Sequence, residues 1–205
     1  MARYGMVIDI TKCVGCEGCV AACSMENHTP YWRGLYRTHI EEHVTGTYPN
    51  VGRQFVPRLC MHCENPPCQD VCPTGATYTT EDGIVRVDQD RCIGCGYCMI
   101  ACPYDARYPF EQDYIAEAKQ RYGQEIVHHN GHADKCDFCV HRLKQGLLPA
   151  CVETCPLHAR IFGDLDDPNS EVAKLVASGK AKPLRPELGT KPKVFYVGYH
   201  EGGKA

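Results

Sequence analysis

The chain has 205 residues, of which 43% are hydrophobic and 23% charged, and its formal net charge is −3. This length fits one domain or two small ones. No apolar run approaches the roughly 20 residues that span a bilayer, and the near-neutral charge gives no basis for nucleic-acid binding. The opening MARYGMVIDI lacks the charged-then-apolar layout of an export signal. We therefore expect no transmembrane segment, no export signal of its own and no disordered tail.

The predicted regular elements are short and are separated by long connecting segments. In chain order they are a strand at MVIDI (6–10), a helix of one or two turns after Cys16, a strand at IVRV (84–87), a second short helix after Cys95, a helix over 112–122 that Gly123 ends, a helix over 170–178 capped by Asn169 or Ser170, and a strand at KVFYV (193–197). The segments 24–59 and 103–135 are predicted to be long inserts, which in compact domains usually form functional sites or interfaces.

The 16 cysteines make up about 8% of the chain, well above ordinary usage. They fall into four groups of four with none left over. The groups are Cys13, Cys16, Cys19 and Cys23; Cys60, Cys63, Cys68 and Cys72; Cys92, Cys95, Cys98 and Cys102; and Cys136, Cys139, Cys151 and Cys155. The first and third groups share the spacing C-x2-C-x2-C-x3-C, the second has C-x2-C-x4-C-x3-C, and the fourth has C-x2-C-x11-C-x3-C.

This spacing predicts iron–sulfur clusters. The run C-x2-C-x2-C-x3-C-P is the bacterial ferredoxin signature for a 4Fe-4S cluster. CIGCGYCMIACP matches it fully, whereas Ser24 replaces the proline after the first group. A loop with a cysteine every third residue supplies three soft thiolates to one cluster, and the fourth cysteine of such a run belongs to a neighbouring cluster. The four groups therefore predict two pairs of clusters.

Disulfides and zinc are the alternatives for a cysteine-rich chain. Three sulfurs within seven residues suit a shared metal centre better than cross-links. Zinc sites use C-x2-C pairs, but they take two separated pairs, so the third cysteine of each ferredoxin-like run would be surplus.

The two halves of the chain resemble each other. IDITKCVGCEGCVAAC (8–23) resembles VDQDRCIGCGYCMIAC (87–102), and PPCQDVCPTGA (66–76) resembles PACVETCPLHA (149–159). Such self-similarity indicates duplication of a two-cluster unit. The predicted fold class is α+β, with two pseudo-duplicated ferredoxin-like two-cluster modules, many loops, inserts, and a C-terminal helix–strand tail.

Two histidine features leave alternatives open. His62 lies between Cys60 and Cys63, where it either tunes a cluster through a hydrogen bond or simply packs beside it. His128, His129 and His132 crowd the second insert; a solvated loop is favoured there over a metal or proton-relay site.

The four groups resemble the four-cluster electron-transfer (beta) subunit of molybdopterin oxidoreductases of the polysulfide, thiosulfate, arsenate, tetrathionate and dimethyl sulfoxide reductase group. The match covers nearly the whole chain. It runs through CVGCEGCVAAC, CMHCENPPCQDVCPTGA, CIGCGYCMIACPYDA, CDFCVHRLKQGLLPACVETCP and the tail GDLDDPNSEVAKL. The resemblance implies four 4Fe-4S clusters, since all sixteen cysteine positions are filled.

The resemblance also implies which cysteines share a cluster. The first set is Cys13, Cys16, Cys19 and Cys155; the second is Cys136, Cys139, Cys151 and Cys23; the third is Cys60, Cys63, Cys68 and Cys102; and the fourth is Cys92, Cys95, Cys98 and Cys72. One module then comprises 1–55 plus 134–165 and the other 56–104, with an insert at 105–133 and a tail at 166–205.

The function implied is a non-catalytic subunit that relays single electrons. It would connect a large molybdenum bis-pterin catalytic subunit with a quinone-reactive membrane anchor or a soluble redox carrier, during respiratory reduction or oxidation of a sulfur or arsenic oxyanion or of polysulfide. The implied location is the periplasmic face of the cytoplasmic membrane, reached by export with the catalytic partner; the cytoplasm is the alternative. A relay subunit of a hydrogenase, formate dehydrogenase or quinol–cytochrome pathway is the second hypothesis, and a structural zinc-binding module is a distant third.

Overall fold

The computed structural model describes residues 2–123 and 130–199. His128 and His129 of the predicted histidine cluster therefore lie outside the described residues. Along the described part of the chain, no helix combines the length and the apolar character needed to cross a bilayer. The strands are β1 (Tyr4–Asp9), β2 (Thr38–Thr47), β3 (Asn50–Leu59), β4 (Thr77–Thr79), β5 (Val85–Val87), β6 (Tyr108–Phe110), β7 (His132–Asp134), β8 (Arg160–Asp164), β9 (Lys182–Pro183) and β10 (Val194–Val197). The helices are α1 (Gly18–Asn27), α2 (Pro67–Asp70), α3 (Tyr97–Ile100), α4 (Gln112–Tyr122), α5 (Val140–Leu143), α6 (Ala150–Glu153) and α7 (Glu171–Ala177).

The largest sheet has the strand order β8-β1-β10-β9. Its central strand β1 runs antiparallel to β8 and parallel to β10. Met6 and Ile8 face a core that also contains Cys19, Cys60, Cys136 and Cys151. Val7 points to the opposite face and packs with Val172 of α7. The sheet therefore separates the cysteine-rich core from a small apolar layer under α7, as the side-chain alternation of a strand requires.

The longest strand pair lies in a segment that the sequence predicted as an insert. β2 and β3 form an antiparallel hairpin paired from Thr38↔Leu59 to Thr47↔Asn50. Its outer half is exposed and polar, and the ion pair of Arg53 with Glu42 links the two strands at 2.5 Å. Because little of this hairpin is buried, its sequence lacks the hydrophobic alternation by which strands are predicted. The second insert is also partly regular, since β6 pairs with β7 on either side of α4.

The predicted helix over 112–122 is confirmed as α4, and Gly123 ends it in a left-handed conformation with φ 68°. The predicted helix over 170–178 is confirmed as α7 with Ser170 at its N-cap. Helix α1 is longer than the predicted one or two turns because it continues through both Cys19 and Cys23 to Asn27. The predicted final strand is β10, and its pairing with β1 makes the C-terminal segment part of the main sheet.

Tyr196 ties this sheet to the hairpin, and its replacement tests that connection. The side chain is 1% exposed, and its hydroxyl donates to the carbonyl oxygen of Pro57 in β3 at 2.8 Å. We expect Tyr196→Phe to lower the free energy of unfolding by about 1 kcal/mol, the usual contribution of one such hydrogen bond. Urea unfolding under anaerobic conditions, followed by circular dichroism, measures this. Tyr48→Phe is the matched control because Tyr48 is 93% exposed; equal midpoints for the two variants would contradict the prediction.

Candidate metal centres

Four cysteines from opposite ends of the chain line the first cavity, which has a volume of about 390 Å³. Three come from the loop between β1 and α1 and from the first turn of α1, and the fourth follows α6. They are Cys13, Cys16, Cys19 and Cys155. This is the composition of the first expected set.

The second cavity has a volume of about 290 Å³ and is deeper in the protein. Its cysteines are Cys23, Cys136, Cys139 and Cys151. Cys19 and Cys23 are one turn apart on α1, so the helix presents one sulfur to each of two adjacent cavities. Cys151 and Cys155 are divided between the same two cavities.

The cysteines of the second and third sequence groups are also divided between two sites, and the last cysteine of each group lies with three cysteines of the other group. Cys72, Cys92, Cys95 and Cys98 line a cavity of about 360 Å³. Burial and the neighbouring thiols of Cys60, Cys68 and Cys102 raise the pKa of the Cys63 thiol to about 12. Cys72, the last cysteine of the second group, thus lies with the third group, and Cys102, the last cysteine of the third group, lies with the second. We refer to the four groups of neighbouring cysteines as sites 1 to 4, in the order of the expected sets; that each set ligates one cluster stays a prediction.

The four sites follow one another in a row. Cys19 of site 1 and Cys151 of site 2 lie in one core. Cys136 in site 2 has a pKa raised by burial and by neighbouring thiols that include Cys60 of site 3. Cys68 of site 3 and Cys98 of site 4 share one small core. Neighbouring sites are therefore close enough to interact, in the order 1, 2, 3, 4.

Exposure differs between the ends and the middle of this row. Each end site contains one exposed cysteine, Cys16 in site 1 and Cys95 in site 4. All four cysteines of site 2 are buried, as are three of the four in site 3. Large apolar side chains are exposed beside both ends, namely Val14 and Leu157 at site 1 and Ile93, Tyr97 and Ile100 at site 4. The row thus has two accessible ends and a buried centre.

A buried arginine lies beside each pair of sites. Arg107 donates from Nη2 to Cys68 Sγ at 3.0 Å and from Nη1 to Thr77 Oγ1 at 3.1 Å. Arg160 donates from Nη1 to Cys151 Sγ at 3.6 Å and from Nη2 to Thr38 Oγ1 at 2.8 Å. Each is the last residue of the motif C-P-x-x-A-R, which reads CPYDAR at 102–107 and CPLHAR at 155–160. Sequence reasoning missed these arginines, although the repeated motif was a readable sign of them.

Both arginines stay charged despite their burial. Burial alone would lower the pKa of Arg107, but the charges of Cys68, Cys60 and Cys98 raise it overall. The pKa of Arg160 is raised in the same way, against burial, by Cys151 and Cys19. Since these thiols belong to two sites in each case, each arginine supplies positive charge to a pair of sites.

A third arginine, whose side chain is 11% exposed, supports the wall of site 2. The Arg37 guanidinium donates to both carboxylate oxygens of Asp134, at 2.9 and 2.8 Å, and to Asp137 Oδ1 at 3.2 Å. It also donates to Asn27 Oδ1 at 2.8 Å, while Asn27 Nδ2 points toward Cys23 Sγ at 3.5 Å. This network joins α1, the start of β2 and the loop before α5. Its members are far apart in the chain, so no local sequence pattern predicts it.

The glycine between the first two cysteines of each ferredoxin-like run is required by the local geometry. Gly15 has φ +68°, and a Cβ there would lie 2.5 Å from the ring of Phe55. Gly94 has φ +69°, and a Cβ there would lie 2.8 Å from the carbonyl oxygen of Gly131. Any other residue would be strained by the positive φ at both positions, and it would also displace the Phe55 ring at Gly15 or the Gly131 backbone at Gly94.

The donor sets fit 4Fe-4S clusters. Each site offers four cysteine sulfurs, the ligand number of such a cluster. The cysteine sulfurs of sites 1, 2 and 4 line cavities, as the ligands of a multi-iron cluster do.

Family comparisons agree with this chemistry. Two family models, each described as a 4Fe-4S dicluster domain, match residues 51–165 and residues 12–76. Two dicluster domains and sixteen cysteines correspond to four 4Fe-4S clusters.

Curated relatives match over almost the whole sequence. A selenate reductase subunit of Mesobacillus selenatarsenatis is 49% identical over 211 residues, which cover 95% of this protein and 72% of the relative. A tetrathionate reductase subunit of Salmonella typhimurium is 47% identical, with coverage of 96% and 72%. The arsenate respiratory reductase iron–sulfur subunit of a Shewanella species is 39% identical, with coverage of 95% and 96%. The protein therefore belongs to the 4Fe-4S dicluster family, among the iron–sulfur subunits of respiratory reductases.

Proposed function

We propose that this chain is the non-catalytic electron-transfer subunit of a respiratory molybdoenzyme. It relays single electrons between a molybdopterin catalytic subunit and a quinone-reactive membrane anchor or a redox carrier. The observation that carries this proposal is the row of four cysteine sites with exposed ends and a buried centre. Such a row serves transfer between two partners, one at each end.

Each set of four cysteines would hold one 4Fe-4S cluster, which supplies a one-electron change of its iron when bound. The ligands are the cysteines of sites 1 to 4. Arg107 and Arg160 hold positive charge beside these ligands and so favour the reduced, more negative state of both members of a pair. The buried side chains around site 2 exclude water from the middle of the row.

Because the last cysteine of each sequence group lies in the neighbouring site, the four sites form two modules, one containing sites 1 and 2 and the other sites 3 and 4. The proposed boundaries are 1–55 plus 134–165 for the first module and 56–104 for the second. Matching arginines in matching motifs support a duplicated origin. The dicluster family models cover 12–76 and 51–165 and so divide the chain differently.

The relatives guide the choice of substrate for the whole enzyme. Their names specify reductases of selenate, tetrathionate, arsenate and polysulfide. We propose that the catalytic partner of this chain acts on a sulfur or arsenic oxyanion or on polysulfide. The complex would be attached to the cytoplasmic membrane on its periplasmic face, having been exported with the catalytic subunit.

Anaerobic affinity purification from the native host tests the function directly. We expect about 16 iron atoms per chain, four for each cluster, and a large co-eluting protein that carries molybdenum. Iron and molybdenum analysis with identification of the partner measures this. The same iron content without molybdenum would favour a hydrogenase, formate dehydrogenase or quinol–cytochrome relay. Zinc in place of iron would refute electron transfer altogether.

Paired cysteine substitutions test the exchange of the last cysteines. If Cys102 shares a cluster with Cys63, the double variant Cys63→Ala/Cys102→Ala should lose a single cluster and keep about 12 iron atoms, at four per cluster. The control Cys98→Ala/Cys102→Ala should disturb two clusters and fall toward about 8. Iron analysis and electron paramagnetic resonance (EPR) count the clusters that remain. A loss of two clusters in the first variant and one in the second would show ligation within each sequence group instead.

Substitution of Arg107 tests its effect on the paired sites. Arg107→Gln keeps a hydrogen-bond donor but removes the buried charge, so the reduced clusters of sites 3 and 4 lose stabilisation. We expect both midpoint potentials to fall by roughly 60 mV, equivalent to a tenfold change in a one-electron equilibrium constant. EPR-monitored redox titration measures this. Arg53→Gln makes the same charge change on the exposed hairpin and should leave all four potentials in place; similar shifts in the two variants would refute a local effect.

A further inference from the structure

The imidazole of His62 has one satisfied nitrogen and one unsatisfied nitrogen. The side chain is completely buried, and in the sequence His62 lies between Cys60 and Cys63 of site 3. Nδ1 accepts a hydrogen bond from the backbone N–H of Val85 at 3.2 Å. Nε2 is also buried, and within residues 2–123 and 130–199 no atom makes a hydrogen bond to it.

These contacts decide which nitrogen carries the proton. Because Nδ1 accepts from an N–H group, the neutral ring must carry its hydrogen on Nε2. His62 therefore presents a buried N–H donor without an acceptor from the described residues. Buried donors are rarely left unpaired, because such a loss costs free energy.

Phe138 is the counterpart of His62 beside site 2. His62 is the third residue of the Cys60–Cys63 pair, and Phe138 is the third residue of the Cys136–Cys139 pair. Both have left-handed backbones, with φ 45° and φ 57°, and their rings stack with centroids 3.7 Å apart. Phe138 lines the cavity of its own pair, site 2. His62 holds the equivalent position, with the same left-handed backbone, beside its own pair in site 3.

We propose that the Nε2–H of His62 donates a hydrogen bond to a sulfur of the 4Fe-4S cluster in site 3 and raises the potential of that cluster above that of its neighbour in site 2. The inference rests on the proposed ligand sets. A donor near a cluster sulfur stabilises the reduced state, which carries more negative charge. At the matching place in site 2, Phe138 offers only carbon. His62 is thus a positioning and tuning residue that makes two otherwise similar central sites unequal.

Two conservative variants separate the donor from the rest of the side chain. His62→Asn retains an oxygen that can accept from Val85 N–H, and asparagine tolerates the left-handed backbone, but the donor at the Nε2 position is lost. His62→Gln places an amide N–H near that position and should restore the effect.

EPR-monitored redox titration of the complex purified with its partners provides the first readout. We expect His62→Asn to lower the midpoint of one cluster by about 30 mV, a threefold change in a one-electron equilibrium constant. His62→Gln should leave that midpoint close to the wild-type value. Unchanged midpoints in a His62→Asn protein with full iron content would overturn the inference. A shift of the same size in His62→Gln would also overturn it, because loss of the imidazole ring rather than of the donor would then explain the effect.

The second readout uses wild-type protein, so it does not depend on whether a variant folds. In wild-type protein labelled with ¹⁵N-histidine, pulsed EPR of the reduced clusters should detect one weakly coupled imidazole nitrogen. Absence of any such coupling would overturn the proposal. The iron count and the Cys63→Ala/Cys102→Ala variant judge the ligand sets separately, so a failure of the proposed function can be told from a failure of the role of His62.

Discussion

The accumulation of negative charge in one interior is the constraint on which the rest of this structure depends. Sixteen cysteine sulfurs gather in four adjacent sites, and most of them are buried. Charges repel strongly where water is excluded. Cationic side chains beneath the surface offset this negative charge. Buried examples are Arg107, Arg160 and Lys135. The side chain of Arg37 is also only 11% exposed. Each of them also makes hydrogen bonds that fix its position, so the positive charge stays beside the sulfurs that need it.

The same constraint explains why regular structure is sparse. Most helices here have four residues, and most sheets have two strands. Cysteine loops of this kind are shaped by their ligands and by left-handed residues such as Gly15 and His62. The four-stranded sheet supplies a firm support on one side, through Met6 and Ile8. The metal sites and this sheet together replace the large apolar core that a chain of this length would otherwise build.

The sequence predicted the site better than the fold. Cysteine spacing indicated the cluster type because ligation demands a fixed number of sulfurs within short loops. Gly123 marked the end of α4 because glycine adopts the left-handed conformation at a helix end without the steric cost that a Cβ brings. The β2–β3 hairpin escaped prediction, since its exposed strands carry no apolar alternation. The pairing of β10 with β1 is a contact between the two ends of the chain, which local patterns do not encode. The motif that ends in Arg107 and Arg160 was readable, but their contacts with Cys68 and Cys151 follow only from the three-dimensional arrangement.

The position of β10 in the main sheet has a consequence for biosynthesis. Sites 3 and 4 draw all their cysteines from residues 60–102, so their ligands leave the ribosome together. Sites 1 and 2 combine cysteines near the start of the chain with Cys151 and Cys155, and β10 then packs against the same core. The ligands of sites 3 and 4 are therefore all present in the growing chain once Cys102 has been added, whereas sites 1 and 2 become complete only with Cys155. β10 is added after all of these cysteines and packs against sites 1, 2 and 3 alike, because Val194 and Tyr196 share one core with Cys19, Cys136 and Cys60.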